Sequence, residues 1–132
     1  MPISLELVED GHILYYVYSD PWTVEDLTSL TPRVMDYYNQ ASHKIHTLGD
    51  ATKLRQVPPG ALRVRSVPNL SHPNSGDIAI AGASLLVETI STTIFRLVHF
   101  NRVKFFQNAD EAWAYLRTVI AEEAVTKAAT RS

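Results

Sequence analysis

The stretch Ile78-Ala79-Ile80-Ala81 is aliphatic or small at every position, and it runs through Gly82-Ala83 straight into Ser84, a residue suited to starting a helix. A strand with one face in water alternates polar and apolar residues. One that is apolar throughout is covered on both faces, as in a parallel sheet flanked by helices. After Ser84, the residues Leu85, Leu86, Ile90, Ile94 and Leu97 form the expected apolar stripe of a helix. One strand–helix unit of a parallel α/β sheet is therefore written into residues 77–97.

The rest of the chain fits around that unit. Ile3, Leu5 and Leu7 alternate with Ser4 and Glu6, the period-two pattern of a half-buried strand. Glu9-Asp10-Gly11-His12 follows as a hairpin turn, and Ile13–Tyr18 as a second strand rich in β-branched and aromatic residues. Thr23, with Asp26 three positions on, caps a helix carrying Val24, Leu27, Leu30, Val34, Tyr38 and Ala41 inward. Pro32 kinks that helix, or divides it with Thr31 as a second cap. A short strand Lys44–Leu48 ends at Gly49-Asp50, and Pro58-Pro59 opens a helix near Gly60 that runs toward Val67. Val103–Phe106 is the last strand. Asn108 with Glu111 caps a final helix whose stripe is Ala109, Ala112, Trp113, Leu116, Val119 and Ile120. The order is β-β-α-β-α-β-α-β-α, an open, mixed, mostly parallel α/β sheet with covering helices and an N-terminal β-hairpin. Residues 1–125 form one domain, and 126–132 a flexible C-terminal tail.

Composition narrows the function classes. Hydrophobic residues make up 45% and charged residues 20% of 132 positions, which is ordinary for a folded domain of this length. The absence of cysteine excludes disulfides, thiolate metal sites and cysteine nucleophiles, and fits a reducing, cytoplasmic setting. The nearly apolar run Ile78–Val87 is about half of the ~20 residues a transmembrane helix needs. A net charge of −2 argues against a nucleic-acid partner. The charge is uneven, however. Residues 41–72 hold Lys44, Lys53, Arg55, Arg63 and Arg65 against Asp50 alone. This is a solvated face or a basic patch for an acidic partner.

With these residues, the element order resembles the STAS-like, SpoIIAA-like proteins, and within them the branch grouped with STAS/SEC14, CRAL-TRIO-like domains. The similarity is carried by Pro21-Trp22-Thr23 before the first helix, by Asp50, by Ile78-Ala79-Ile80-Ala81-Gly82-Ala83-Ser84, and by Phe105-Phe106-Gln107-Asn108-Ala109-Asp110-Glu111-Ala112-Trp113-Ala114-Tyr115-Leu116. The resemblance implies the SpoIIAA-like fold and a binding or regulatory role. Anti-sigma-factor antagonists of this kind carry a phosphorylatable serine at the start of the helix after the third strand. The matching stretch here is Val57-Pro58-Pro59-Gly60-Ala61, where proline stands at the hydroxyl position. The nearest hydroxyls, Thr52 and Ser66, do not match it.

No catalytic arrangement is recognisable. His12, His43, His46, His72 and His99 show no helical metal-ligand spacing, no Gly-x-Ser-x-Gly elbow occurs, and no phosphate loop is present. The expectation is a non-catalytic module without cofactor or metal. Its ligand-binding residues would lie beyond the carboxyl ends of the parallel strands, where helix N-termini gather. These are Asp50, Thr52, Lys53, Gly60, Gly82, Ala83 and Ser84, with Arg55, Arg63 and Arg65 as a basic patch facing the partner. The expected partner is a small anionic ligand or a protein surface. A homodimer through the hairpin aromatics Tyr15, Tyr16, Tyr18 and Trp22, or through the first helix with Tyr37-Tyr38, is a further expectation. The alternative is a carrier of a lipid or other apolar ligand, which requires a lined interior cavity.

Overall fold

In the computed structural model, residues 2–66 and 71–131 are described, with the side chains of 64–66 and 127–131 excepted. The element order is β1 (Ile3–Val8), β2 (Ile13–Ser19), α1 (Val24–Thr28), α2 (Thr31–Gln40), β3 (Ile45–Lys53), a 3-10 helix (Ala61–Ser66), β4 (Ser75–Ala81), α3 (Leu85–Leu97), β5 (Val103–Phe106) and α4 (Ala109–Arg131). Among the described residues the strands form one sheet in the order β1-β2-β3-β4-β5. β1 and β2 pair antiparallel, and every later neighbour pairs parallel. Leu48 sits beside Ala79, and Ile80 beside Phe105, so the parallel register expected from the apolar runs is present.

Local chemistry sets the element boundaries. Glu9, Asp10 and Gly11 take positive φ values of 53°, 55° and 84°, and the Gly11 N–H donates to Val8 O at 3.1 Å to close the hairpin. Thr23 Oγ1 accepts from the Asp26 N–H at 3.0 Å while the Asp26 carboxylate accepts from the Thr23 N–H at 2.8 Å, the reciprocal bonds of a capping box. The first helix is divided rather than kinked. Leu30, not Thr31, is the cap of α2, and it makes no side-chain capping bond. Pro32 falls in the first turn, where its missing N–H would have had no helical acceptor.

Three boundaries differ from the sequence expectation. β3 does not end at Gly49-Asp50 but continues to Lys53: Asp50 still aligns with Val17 on one side and Ala81 on the other, and beyond it β2 keeps pairing, Ser19 with Lys53. The helix expected from Gly60 is a 3-10 helix beginning at Ala61. α4 runs to Arg131, past the Thr126 boundary expected for a tail.

The two faces of the sheet are built differently. On one, Ile13, Leu48, Ala79 and Ala81 pack with Ala112 and Leu116 of α4, all fully buried. The same face carries His46, whose Nδ1 accepts from the Asp77 N–H at 2.8 Å and whose Nε2 lies 2.7 Å from Glu123 Oε1. Accepting at Nδ1 places the ring proton on Nε2, so the imidazole donates to Glu123 and ties the distal part of α4 to the sheet. Gly76 makes room for that ring, which any Cβ there would overlap. On the other face, Ile3, Leu5, Leu14, Tyr16 and Ile45 pack under Val34 and Tyr38 of α2. A smaller cluster of Ala51, Leu54 and Val87 sits beneath the start of α3.

Candidate functional site

Alternation along β3 places Ile45, Thr47, Gly49 and Ala51 on the face away from α4. After Ile45 these residues are small. Beside them the floor is made by Tyr16 and Tyr18 of β2 and by Ile78 and Ile80 of β4. α3 arches over this floor from the 3-10 helix side and leaves a partly enclosed cavity of about 480 Å³. Ile90, Ile94, Phe95 and Val98 form its roof, Trp22, Leu27 and Tyr38 close the α1–α2 side, and Leu54, Val57, Pro58 and Ala61 close the loop side. A volume of this size, with mostly apolar walls, falls within the range of small-molecule sites.

The cavity exists because α3 does not seat its apolar stripe on the sheet. Only Val87 of α3 is buried. Leu85, Leu86 and Leu97, expected inside, are exposed at 81%, 53% and 48%. Helix phase accounts for the first two: with Ser84 accepting from the Val87 N–H at 3.2 Å at the helix start, Val87, Ile90 and Ile94 face inward and Leu85 and Leu86 outward. Leu97 instead lies on the same side as Ile90 and is exposed at the last turn.

Aromatic rings step across the cavity floor. Tyr16 and Tyr18 stack at 5.9 Å, and Tyr18 meets Trp22 at 5.5 Å. Burial alone pushes the Tyr18 phenol well above the usual tyrosine range. Burial also raises Tyr16, helped by the nearby Tyr18 and Tyr38 and opposed by Arg33. Tyr38 is raised by burial too, but its hydroxyl has hydrogen bonds with Ser75 and Thr47 that oppose the shift. Trp22 Nε1 is buried without a hydrogen-bond partner. Among the described residues that line the cavity there is no Asp, Glu, Lys or Arg.

The residues expected at the carboxyl ends of the strands do gather at that end, beside the cavity. Asp50 Oδ1 accepts from the Thr52 N–H at 3.0 Å and from its hydroxyl at 2.6 Å, so the two polar groups are spent on each other. Gly82, at φ +70°, lies against Thr52 so closely that a Cβ would overlap the Thr52 methyl. Ser84 is occupied as the α3 cap, Ala83 packs against the cluster under α3, and Lys53 is exposed at the end of β3. Gly60, at φ +74°, is overlain by the Arg63 guanidinium, which also lies 3.4 Å from Glu25. Arg55 donates from its guanidinium to Thr52 O at 3.2 Å, while its backbone N–H donates to Asp20. The Arg65 side chain lies outside the described residues. Sequence reasoning named a lined cavity only as the requirement of its alternative reading and did not place it, and the signal for its position was the run of small residues on one face of a central strand. Among the described residues no group of three or more His, Asp or Glu is placed to hold a metal ion. Nor is any helix long and apolar enough to cross a membrane.

No family model matches the sequence, and no curated protein does. Among solved structures, the chain is similar to an uncharacterized protein of the DUF3478 family from Shewanella loihica PV-4, described as having a SpoIIAA-like fold. The TM-score is 0.62 at 23% identity, over 86% of this chain and 91% of that one. With the hairpin, the parallel strands and the four helices in the same arrangement, this chain has a SpoIIAA-like fold.

Proposed function

We propose that this chain is a non-catalytic binding module whose ligand is an apolar small molecule held between the sheet and α3. The observation that carries this reading is the cavity of about 480 Å³ with aromatic and aliphatic walls. An empty apolar space in a protein interior is destabilising, because its lining atoms lose packing partners on one side. A ligand supplies those partners. The reading of an anionic ligand at the strand ends has weaker support, since Asp50, Thr52 and Ser84 already bond within the protein.

N-phenyl-1-naphthylamine, an uncharged dye whose emission rises in apolar surroundings, tests the proposal. Gly49→Leu is the informative variant. A Cβ at position 49 would meet Tyr18 Cε2 at 3.5 Å and Ile80 Cγ1 at 4.0 Å, ordinary contacts, so the leucine projects into the open space. Saturable enhancement with the unmodified protein, weakened about tenfold or more by Gly49→Leu at unchanged circular dichroism, is expected. Equal dye affinity in both proteins would place the dye elsewhere and reject the cavity as the site.

A further inference from the structure

The donors in the cavity wall also indicate which apolar molecules fit. Tyr18 is half-buried with its side chain lining the cavity, and burial holds its phenol in the neutral, proton-bearing form. No hydrogen bond from the protein offsets that burial, in contrast with Tyr38, whose hydroxyl is engaged by Ser75 and Thr47. The adjoining Trp22 Nε1–H can only donate, and it is buried with no partner among the described residues. The cavity wall therefore has one donor without an acceptor, Trp22 Nε1–H, and beside it a phenol O–H that can donate as well. A buried donor without an acceptor is unfavourable, so the complementary ligand atom is an acceptor oxygen. The described lining residues include no Lys or Arg to neutralise a carboxylate and no Asp or Glu to neutralise an amine. Besides the tyrosines and Trp22, the polar side chains of the lining are Thr47, Gln56, Ser71, Ser91 and His99. An ion brought into this mostly apolar space would therefore lose its hydration without meeting a carboxylate, ammonium or guanidinium group among the described residues.

Resting on the apolar-ligand reading above, we propose that the ligand is uncharged and carries a carbonyl-type oxygen that accepts a hydrogen bond from Tyr18 Oη. A fatty acid in its ionised form is thereby disfavoured, and a ketone, aldehyde, ester or quinone of similar bulk is admitted. Tyr18 acts as the residue that distinguishes a carbonyl-bearing molecule from a plain hydrocarbon of the same length.

The experiment is displacement of bound N-phenyl-1-naphthylamine at pH 8 by 2-decanone, decane and decanoate, with the unmodified protein and with Tyr18→Phe. This substitution removes one oxygen and keeps the ring, and circular dichroism checks its fold. The expected result is that Tyr18→Phe weakens 2-decanone about three- to tenfold, the range of one neutral hydrogen bond, and leaves decane within about twofold. Decanoate should bind the unmodified protein at least about tenfold more weakly than 2-decanone, a comparison that does not depend on the variant. Equal losses for ketone and hydrocarbon, no loss for either, or decanoate binding as tightly as the ketone would overturn the role of Tyr18 and leave the cavity standing. Failure of all three molecules to displace the dye from the unmodified protein would remove the apolar-ligand reading itself.

Discussion

The two faces of this sheet are made from the same strands, yet one is solid and the other, packed under α2, is hollow under α3. Toward α4, β3 presents His46 and Leu48, and the space is filled by Leu116, Ala112 and the imidazole that reaches Glu123. Toward α3, the alternate residues of the same strand are Thr47, Gly49 and Ala51, and the helix above rests mainly on Val87. The difference lies in side-chain volume at alternate positions and in helix phase, with no change in backbone pairing. Under the proposed function, one sheet separates the work of stability from that of ligand accommodation.

If that division holds, truncation should cost far more on one face than on the other. Leu116→Ala removes a fully buried side chain from a close-packed cluster and should lower the free energy of unfolding by about 2–5 kcal/mol, measured by urea denaturation. Ile94→Ala removes a side chain that already borders empty space, and the expected loss is under about 1.5 kcal/mol. Equal losses at the two positions would mean that α3 is as firmly packed as α4, and would break the comparison.

Alkaline unfolding sharpens it. Tyr16 and Tyr18, on the hollow face, are held in their neutral forms by burial, above the ordinary tyrosine value of 10.0. On unfolding they return to that ordinary value. The stability they contribute is therefore fully present below pH 10 and is lost as the pH rises toward their folded-state values. Between pH 10 and pH 11 each such tyrosine should remove about 1 kcal/mol from the unfolding free energy, tending to about 1.4 kcal/mol per pH unit beyond. Tyr18→Phe should make the decline shallower by one such contribution, read from urea curves at pH 9 and pH 11. An unchanged slope would show that the phenol is not kept out of water.

Much of the fold was legible because period and punctuation agreed. The alternation of Ile3–Val8, the Asp-Gly turn, the Thr23–Asp26 cap and the continuous apolar run before Gly82 each describe local geometry that survives in the structure. β3 was misjudged because Gly49-Asp50 resembles a turn when viewed alone. Pairing on both sides overrides that local preference, and Asp50 finds its partner two residues on instead of ending the strand. α3 was legible as a helix but not in its phase. Leu85, Leu86, Val87, Ile90, Ile94, Phe95, Leu97 and Val98 place apolar residues nearly all round it, so periodicity alone does not choose the inward side. The bond between His46 and Glu123 joins positions 77 residues apart, a distance no local pattern spans. The cavity was the least visible feature, because it results from what Thr47, Gly49 and Ala51 leave unfilled and from how high α3 sits above them.

The most direct measurement of where a ligand sits is a set of nuclear Overhauser contacts between bound N-phenyl-1-naphthylamine and methyl-labelled protein. Contacts from the dye protons to the methyls of Ile80, Ile90 and Ile94, with none to Leu48 or Leu116, are what the hollow face predicts. Contacts to Leu85 and Leu86 instead, with the three isoleucines silent, would put the dye on the outer surface of α3 and contradict the account.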